Sequence, residues 1–237
     1  MSTSTILKSL SIAAAGAVVV AVGVGKAADA STLWYNGDFN FVNGTANEQN
    51  TNVSDAHTYD DFTVSAGKVW NIDSIWSNNL MSFTGVTQAT WSIRTGVSAG
   101  NGGTVIASGA SAATQTATGK SGFGYNEYNI GVSGLNINLN PGTYWLSVTP
   151  IGFSSGRSFN SFTSGLNAVG TPAGNDGNSF FKSSYFGTNF QAQNNDFSMG
   201  VGGTAKPIPE PASVLGLLAI GALGTGSTLK RKFQQKG

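Results

Sequence analysis

The chain contains no cysteine. That excludes disulfides, thiolate zinc sites and cysteine nucleophiles together. Histidine is almost as scarce, with His57 standing alone. A Ser-His-Asp relay would have to use it, and serines are too numerous to select one. A zinc enzyme site would lack imidazole ligands. His57 sits in the polar stretch Asn52-Val-Ser-Asp-Ala-His-Thr-Tyr59, which reads as a solvated loop ahead of a strand. Charge is thin, at 10% of residues. Between residues 31 and 205, five Lys and Arg stand against nine Asp and Glu, a balance of −4. A weakly acidic segment with no basic cluster argues against nucleic acid as a partner. No convincing helical period and no fixed-period repeat appears in that segment.

What is present is apolar and aromatic residue in alternation. Aromatic residues make up 11% of the chain, which fits a packed core and not a disordered segment. In Thr87-Gln-Ala-Thr-Trp-Ser-Ile-Arg94, Ala89, Trp91 and Ile93 share one face, and Thr90, Ser92 and Arg94 the other. Trp91 is thereby expected in the core. Leu135-Asn-Ile-Asn-Leu139 alternates as well, Asn140-Pro141-Gly142 is a turn signal, and Thr143-Tyr-Trp-Leu-Ser-Val-Thr149 follows. The two runs are expected to pair as an antiparallel hairpin. Further strands are expected at 34–41, 61–64, 69–76, 104–108 and 128–132, with 197–201 as the closing strand. Residues 109–124 and 152–178 are small and polar, and read as long loops. Many short strands between Gly- and Asn-rich turns predict an all-β, antiparallel, jelly-roll-like β-sandwich. The segment Leu139-Asn-Pro-Gly-Thr-Tyr-Trp-Leu-Ser-Val148 resembles a hairpin of many secreted sandwiches, accessory carbohydrate-binding modules among them.

The two ends read as addresses. Lys8 precedes an apolar stretch, 12–25, and Ala28-Asp29-Ala30 offers a small-x-small cleavage site. This predicts an N-terminal signal helix and signal peptide, 1–30, cut by signal peptidase to leave Ser31 as the mature N-terminus. At the other end, Pro209-Glu210-Pro211 precedes an uncharged apolar run, 212–229, and then Lys230-Arg231-Lys232. As a helix that run reaches about 27 Å, close to a hydrocarbon core of about 30 Å. The basic cluster would hold the cytoplasmic side. The prolines cannot continue a helix upstream. The order of motif, span and basic stop resembles the PEP-CTERM sorting signal of bacterial exported proteins. The resemblance implies recognition of Pro209, Glu210 and Pro211 by an exosortase, tail removal nearby, and a diderm host that secretes polysaccharide. The expected organisation is a signal peptide (1–30), a β-sandwich domain (31–205) and a sorting signal (206–237) with a transmembrane helix at 212–229 and a basic tail.

Chemistry-bearing residues between the ends are few. Asp60 and Asp61 are adjacent, so a strand would send them to opposite faces, where they could not flank one bond. Asp38, Asp60 and Asp61 stand in oxygen-rich stretches and are the candidate calcium ligands, without an EF-hand spacing. Among five tryptophans, Trp145 lies opposite Tyr144, Leu146 and Val148. It is the candidate glycan contact, with packing as the competing reading. These features lead to the expectation of a non-enzymatic protein without a cofactor, exported through a transient inner-membrane anchor to the cell surface or medium. Its place would be the extracellular polysaccharide matrix. The rivals are a carbohydrate-binding module, with calcium as a candidate ion, and a glycoside hydrolase.

Overall fold

A computed structural model describes residues 31–50, 55–152, 156–172 and 176–208. The expected signal helix and the expected membrane span at 212–229 lie outside them. Among the described residues no helix is long and apolar enough to cross a membrane. The described chain is all β and its sheets are antiparallel.

The first sheet contains β1 (Ser31–Tyr35), β2 (Phe39–Ala46), β5 (Lys68–Met81), β8 (Thr114–Gly122), β9 (Tyr125–Leu139), β11 (Ser158–Thr163), β14 (Asp196–Phe197) and β15 (Met199–Pro207). The long strand β5 is its axis. It pairs with β9 along one edge and with β15 and then β11 along the other, while β1 flanks β15 and β8 flanks β9. The second sheet contains β3 (Glu48–Gln49), β4 (Asp55–Val64), β6 (Gln88–Thr95), β7 (Thr104–Ala112), β10 (Gly142–Pro150), β12 (Ser179–Ser183) and β13 (Thr188–Gln193). Its order is β13-β12-β4-β10-β6-β7.

The core lies between the sheets. Trp34, Trp70, Ile72, Ile75, Ile130 and Val201 come from the first, and Phe62, Ala89, Ile93, Leu146 and Val148 from the second. Phe62 stands at the contact, with Trp34 and Trp70 of the opposite sheet at 5.5 and 5.8 Å between ring centroids. One side of this interior is polar. The Asn47 amide donates to the Asn79 side chain at 2.9 Å and to the Val148 carbonyl at 2.8 Å, and accepts from the Thr149 hydroxyl at 2.8 Å. These bonds tie the two sheets together where apolar packing gives out.

Several expectations are corrected. Residues 34–41 are not one strand: the chain breaks between β1 and β2. Gly37 adopts φ 122°, and a Cβ there would lie 2.7 Å from the Thr163 hydroxyl. β9 and β10 do not form a hairpin. Leu139 pairs with Trp70 in the first sheet, whereas Gly142 pairs with Val64 in the second. The Asn140-Pro141 link is therefore an arch between sheets. Residues 109–124 are not a loop; they form the end of β7 and all of β8. Inside 152–178 lies β11, and Val169 beyond it exchanges backbone hydrogen bonds of 2.8 and 2.9 Å with Tyr35. His57 is not in a loop either: β4 begins at Asp55. The expected closing strand 197–201 is split: Phe197 ends β14, and Met199 begins the inner strand β15, which runs on to Pro207.

Candidate functional site

The outer face of the first sheet carries the most developed site. Trp76 on β5 pairs across the ladder with Gly200 on β15 and Gly131 on β9. With no side chain on Gly200, the indole lies against the β15 backbone; a Cβ there would fall 2.3 Å from the ring. The Tyr35 ring stands beside it, 6.1 Å away between centroids and tilted by 36°. Together with Asp38, Asn78, Lys120 and Asn129, these aromatics line a groove of about 400 Å³, within the size range of small-molecule sites.

The polar floor of the groove is one connected network. Asn129 donates to the Asn78 side-chain oxygen at 2.9 Å, and Asn78 donates to the Tyr35 phenol at 3.1 Å. The phenol donates to Asp38 at 2.7 Å. Asp38 also accepts from Asn167 at 2.9 Å and pairs with Lys120 at 3.1 Å. Burial alone would raise the Asp38 carboxyl. The bonds from Tyr35, Asn167 and Lys120, with the Lys120 charge, hold it below its ordinary value. Burial pushes the Tyr35 phenol up, so it stays protonated and donates. The groove thus has an aromatic wall, fixed donors and acceptors, and a charge pair that largely cancels.

The sequence-predicted residues fall elsewhere. Trp145 is 8% exposed. Its ring joins Tyr59, Val97, Phe180 and Phe190 in a second small core, and its indole donates to the Asn178 carbonyl at 3.1 Å. The cover comes mainly from β12 and β13, and a ring so enclosed offers a sugar no open face. Trp91 is half-buried: it packs at the edge of the main core over Gly109, and its indole donates to Ser111 at 3.0 Å.

Asp38, Asp60 and Asp61 do not converge. Asp60 points inward and is 0% exposed; it accepts from the Asn36 amide at 2.8 Å and from backbone amides of Asp61 and Phe197. Burial, and then the nearby Asp196 charge, raise its pKa well above the ordinary value. Asp61 lies on the opposite face of β4 beside Trp145. Burial and the Asp176 charge push it up to about 7. Most of these oxygens already accept hydrogen bonds, and the three side chains do not fit one calcium shell. Among the described residues no group of three or more acidic or histidine side chains is arranged to hold a metal ion. Ala28, Ala30, Pro209, Glu210 and Pro211 lie outside the described residues.

Of the groove residues the sequence singled out Asp38, as a calcium candidate, while Trp76 escaped it because a bulge reverses the phase of β5. Register shifts between Ile72 and Ser74 against β9, and between Gly202 and Gly203 on β15. Counting by twos from Trp70 and Ile72 would turn Trp76 inward; after the bulge Ile75 faces the core and Trp76 faces out.

The PEP-CTERM protein-sorting motif matches residues 207–232. Such a motif implies export, a membrane-anchored sorting signal and exosortase processing to a surface-sorted protein. Comparison with curated proteins finds no match, and neither does comparison with solved structures.

Proposed function

We propose that this chain is a non-enzymatic surface protein of the extracellular polysaccharide matrix, with its β-sandwich binding polysaccharide through the Trp76 groove. Signal peptidase opens its route out, and the exosortase that reads Pro209-Glu210-Pro211 places it at the surface. The supporting observation is Trp76 laid along the Gly200 backbone, with Tyr35 beside it and a fixed ring of amides and hydroxyls around it. A flat apolar ring face suits the C–H face of a sugar, and the surrounding amides suit its hydroxyls. The paired Asp38 and Lys120 favour an uncharged saccharide at this site. Asp38 is the one carboxylate lining the groove among the described residues, so the arrangement suits holding a glycan better than cutting it.

A glycan array probed with the full-length chain in non-ionic detergent tests the proposal. Neutral oligosaccharides are expected to bind, and Trp76→Ala to lose at least about tenfold in affinity, the order of one stacked ring. Undiminished binding by a folded Trp76→Ala variant would remove the groove from the account.

A further inference from the structure

The outer face of the second sheet carries a different pocket, of about 190 Å³. Four neighbouring strands build it. Lys182 on β12 pairs with His57 on β4, and Ser147 on β10 pairs with Ser92 on β6, next to Thr90 and Arg94. Every one of these side chains lies on the face turned away from the main core.

The lining is rich in donors and positive charge. The Arg94 guanidinium packs over the Tyr59 and Phe190 rings, at 5.7 and 5.3 Å. One of its amino groups donates to the Gly102 carbonyl at 3.0 Å. Lys182 reaches the same Phe190 ring at 5.8 Å. Two cations thus gather around one ring, and among the described residues neither has a carboxylate within ion-pair distance. His57 closes one wall. Its two nitrogens engage Thr149 and Asp55, each at 2.9 Å, and burial keeps its pKa below the ordinary value. The positive charge is therefore that of Arg94 and Lys182.

Three buried polar atoms of this lining have no hydrogen-bond partner in the protein: the Ser147 and Thr90 hydroxyls and the Arg94 Nε. Ser147 is 2% exposed. Buried polar atoms are ordinarily satisfied, and a hydroxyl left without a partner costs free energy. All three can donate, as can Lys182. What they share is complementarity to an acceptor carrying negative charge.

We infer that this pocket binds a single oxyanion group, the carboxylate or sulfate of an acidic saccharide or other anionic ligand. Size sets the limit. At about 30 Å³ per water the volume corresponds to about six waters, below the roughly 300 Å³ at which pockets take whole small molecules. The pocket accepts a charged substituent while the rest of the ligand stays outside. Its ligand class differs from that of the Trp76 groove, which lies on the other sheet.

Calorimetric titration of the full-length chain in non-ionic detergent tests this, with Trp76→Ala as the background so that the groove does not contribute. The probes are sodium glucuronate, sodium sulfate and, as the uncharged control, glucose. The ionic strength is held at about 0.01 M, where screening is weakest. At least one anion is expected to bind and glucose to give no heat. Binding of glucuronate alone assigns a carboxylate, and displacement of glucuronate by sulfate assigns a site for either group. Lys182→Gln and Arg94→Gln should each weaken binding about tenfold or more, as for one charge-assisted hydrogen bond. Arg94 also packs on two rings and its variant can lose the fold. Lys182→Gln, checked for native circular dichroism, is then decisive. Absence of binding by both anions overturns the inference, as does unchanged affinity in a folded Lys182→Gln chain.

Discussion

Trp145 and Trp76 both point away from the main core, and what lies above each ring separates them. Trp145 is covered by Phe180 and Phe190, so Trp145→Ala should cost the buried-aromatic amount of about 3–5 kcal/mol. It should leave glycan affinity unchanged under conditions where the variant is folded. Trp76→Ala should cost only about 1 kcal/mol while losing glycan affinity. Paired denaturation curves and binding isotherms check both, and the opposite pattern would return the glycan contact to Trp145. Asp61 makes a separate prediction. Burial raises its folded pKa to about 7, above an unfolded value of about 3.9. The folded state therefore binds the extra proton, and the stabilisation it brings is complete below the unfolded value. It is lost as pH rises toward and through 7. Asp60 is raised as well and acts in the same direction. His57, lowered by burial, acts oppositely below its ordinary value, so the single group is read from a difference. Relative to wild type, Asp61→Asn should gain stability between pH 5 and 8, measured as the urea midpoint; a constant difference across that range would refute the assignment.

At the scale of elements, β5 and β15 explain both the site and why half of it was hidden. The bulge at Asp73 of β5, opposite Gly202 and Gly203, lets β15 stay paired with β5 while Trp76 turns outward. Gly203 adopts φ 154°, and a Cβ there would lie 2.1 Å from the Asn71 carbonyl oxygen. Gly203→Ala should therefore cost about 2 kcal/mol or more, and it should disturb the groove as well. Gly200→Ala should do less to stability and more to binding, because its methyl would meet the Trp76 ring. Thermal melts and glycan titrations of both variants test that ordering. Strands with one apolar face were legible in sequence: Ala89 and Ile93, or Leu146 and Val148, alternate as they pack. The end of β7 and all of β8 were not, because most of their residues are exposed. They have no apolar face to read and are held by backbone pairing. The arch at Asn140-Pro141 was misread for a different reason. Leu139 and Leu146 face one core from opposite sheets, which yields the same alternation as a hairpin within a single sheet. The anion pocket left a partial trace, since Ser92, Arg94 and Ser147 alternate outward, but Lys182 joins them only through β12.

Considered whole, the molecule joins the Trp76 groove to the sorting motif through one strand. β15 lies inside the first sheet between β1 and β5, carries Gly200 beneath Trp76, and remains paired with β5 as far as Pro207 opposite Lys68. The Ile208 amide then donates to the Gly67 carbonyl at 2.8 Å. The sorting motif begins at Pro207, so the last residue of this strand already belongs to the address. Glu210 lies outside the described residues, and Glu210→Ala keeps both neighbouring prolines and the whole apolar run. Domain stability and groove binding should therefore match wild type, since no described residue changes. Membrane insertion should survive too, because an apolar span inserts by its own transfer free energy. What should fail is recognition by the exosortase. Immunoblots of membrane and released fractions are then expected to show a larger, membrane-retained product at the expense of the processed form. Normal processing of Glu210→Ala, with the same released product as wild type, would mean that the glutamate is not what the enzyme reads. The tail would then act as a plain anchor that holds the sandwich at the membrane.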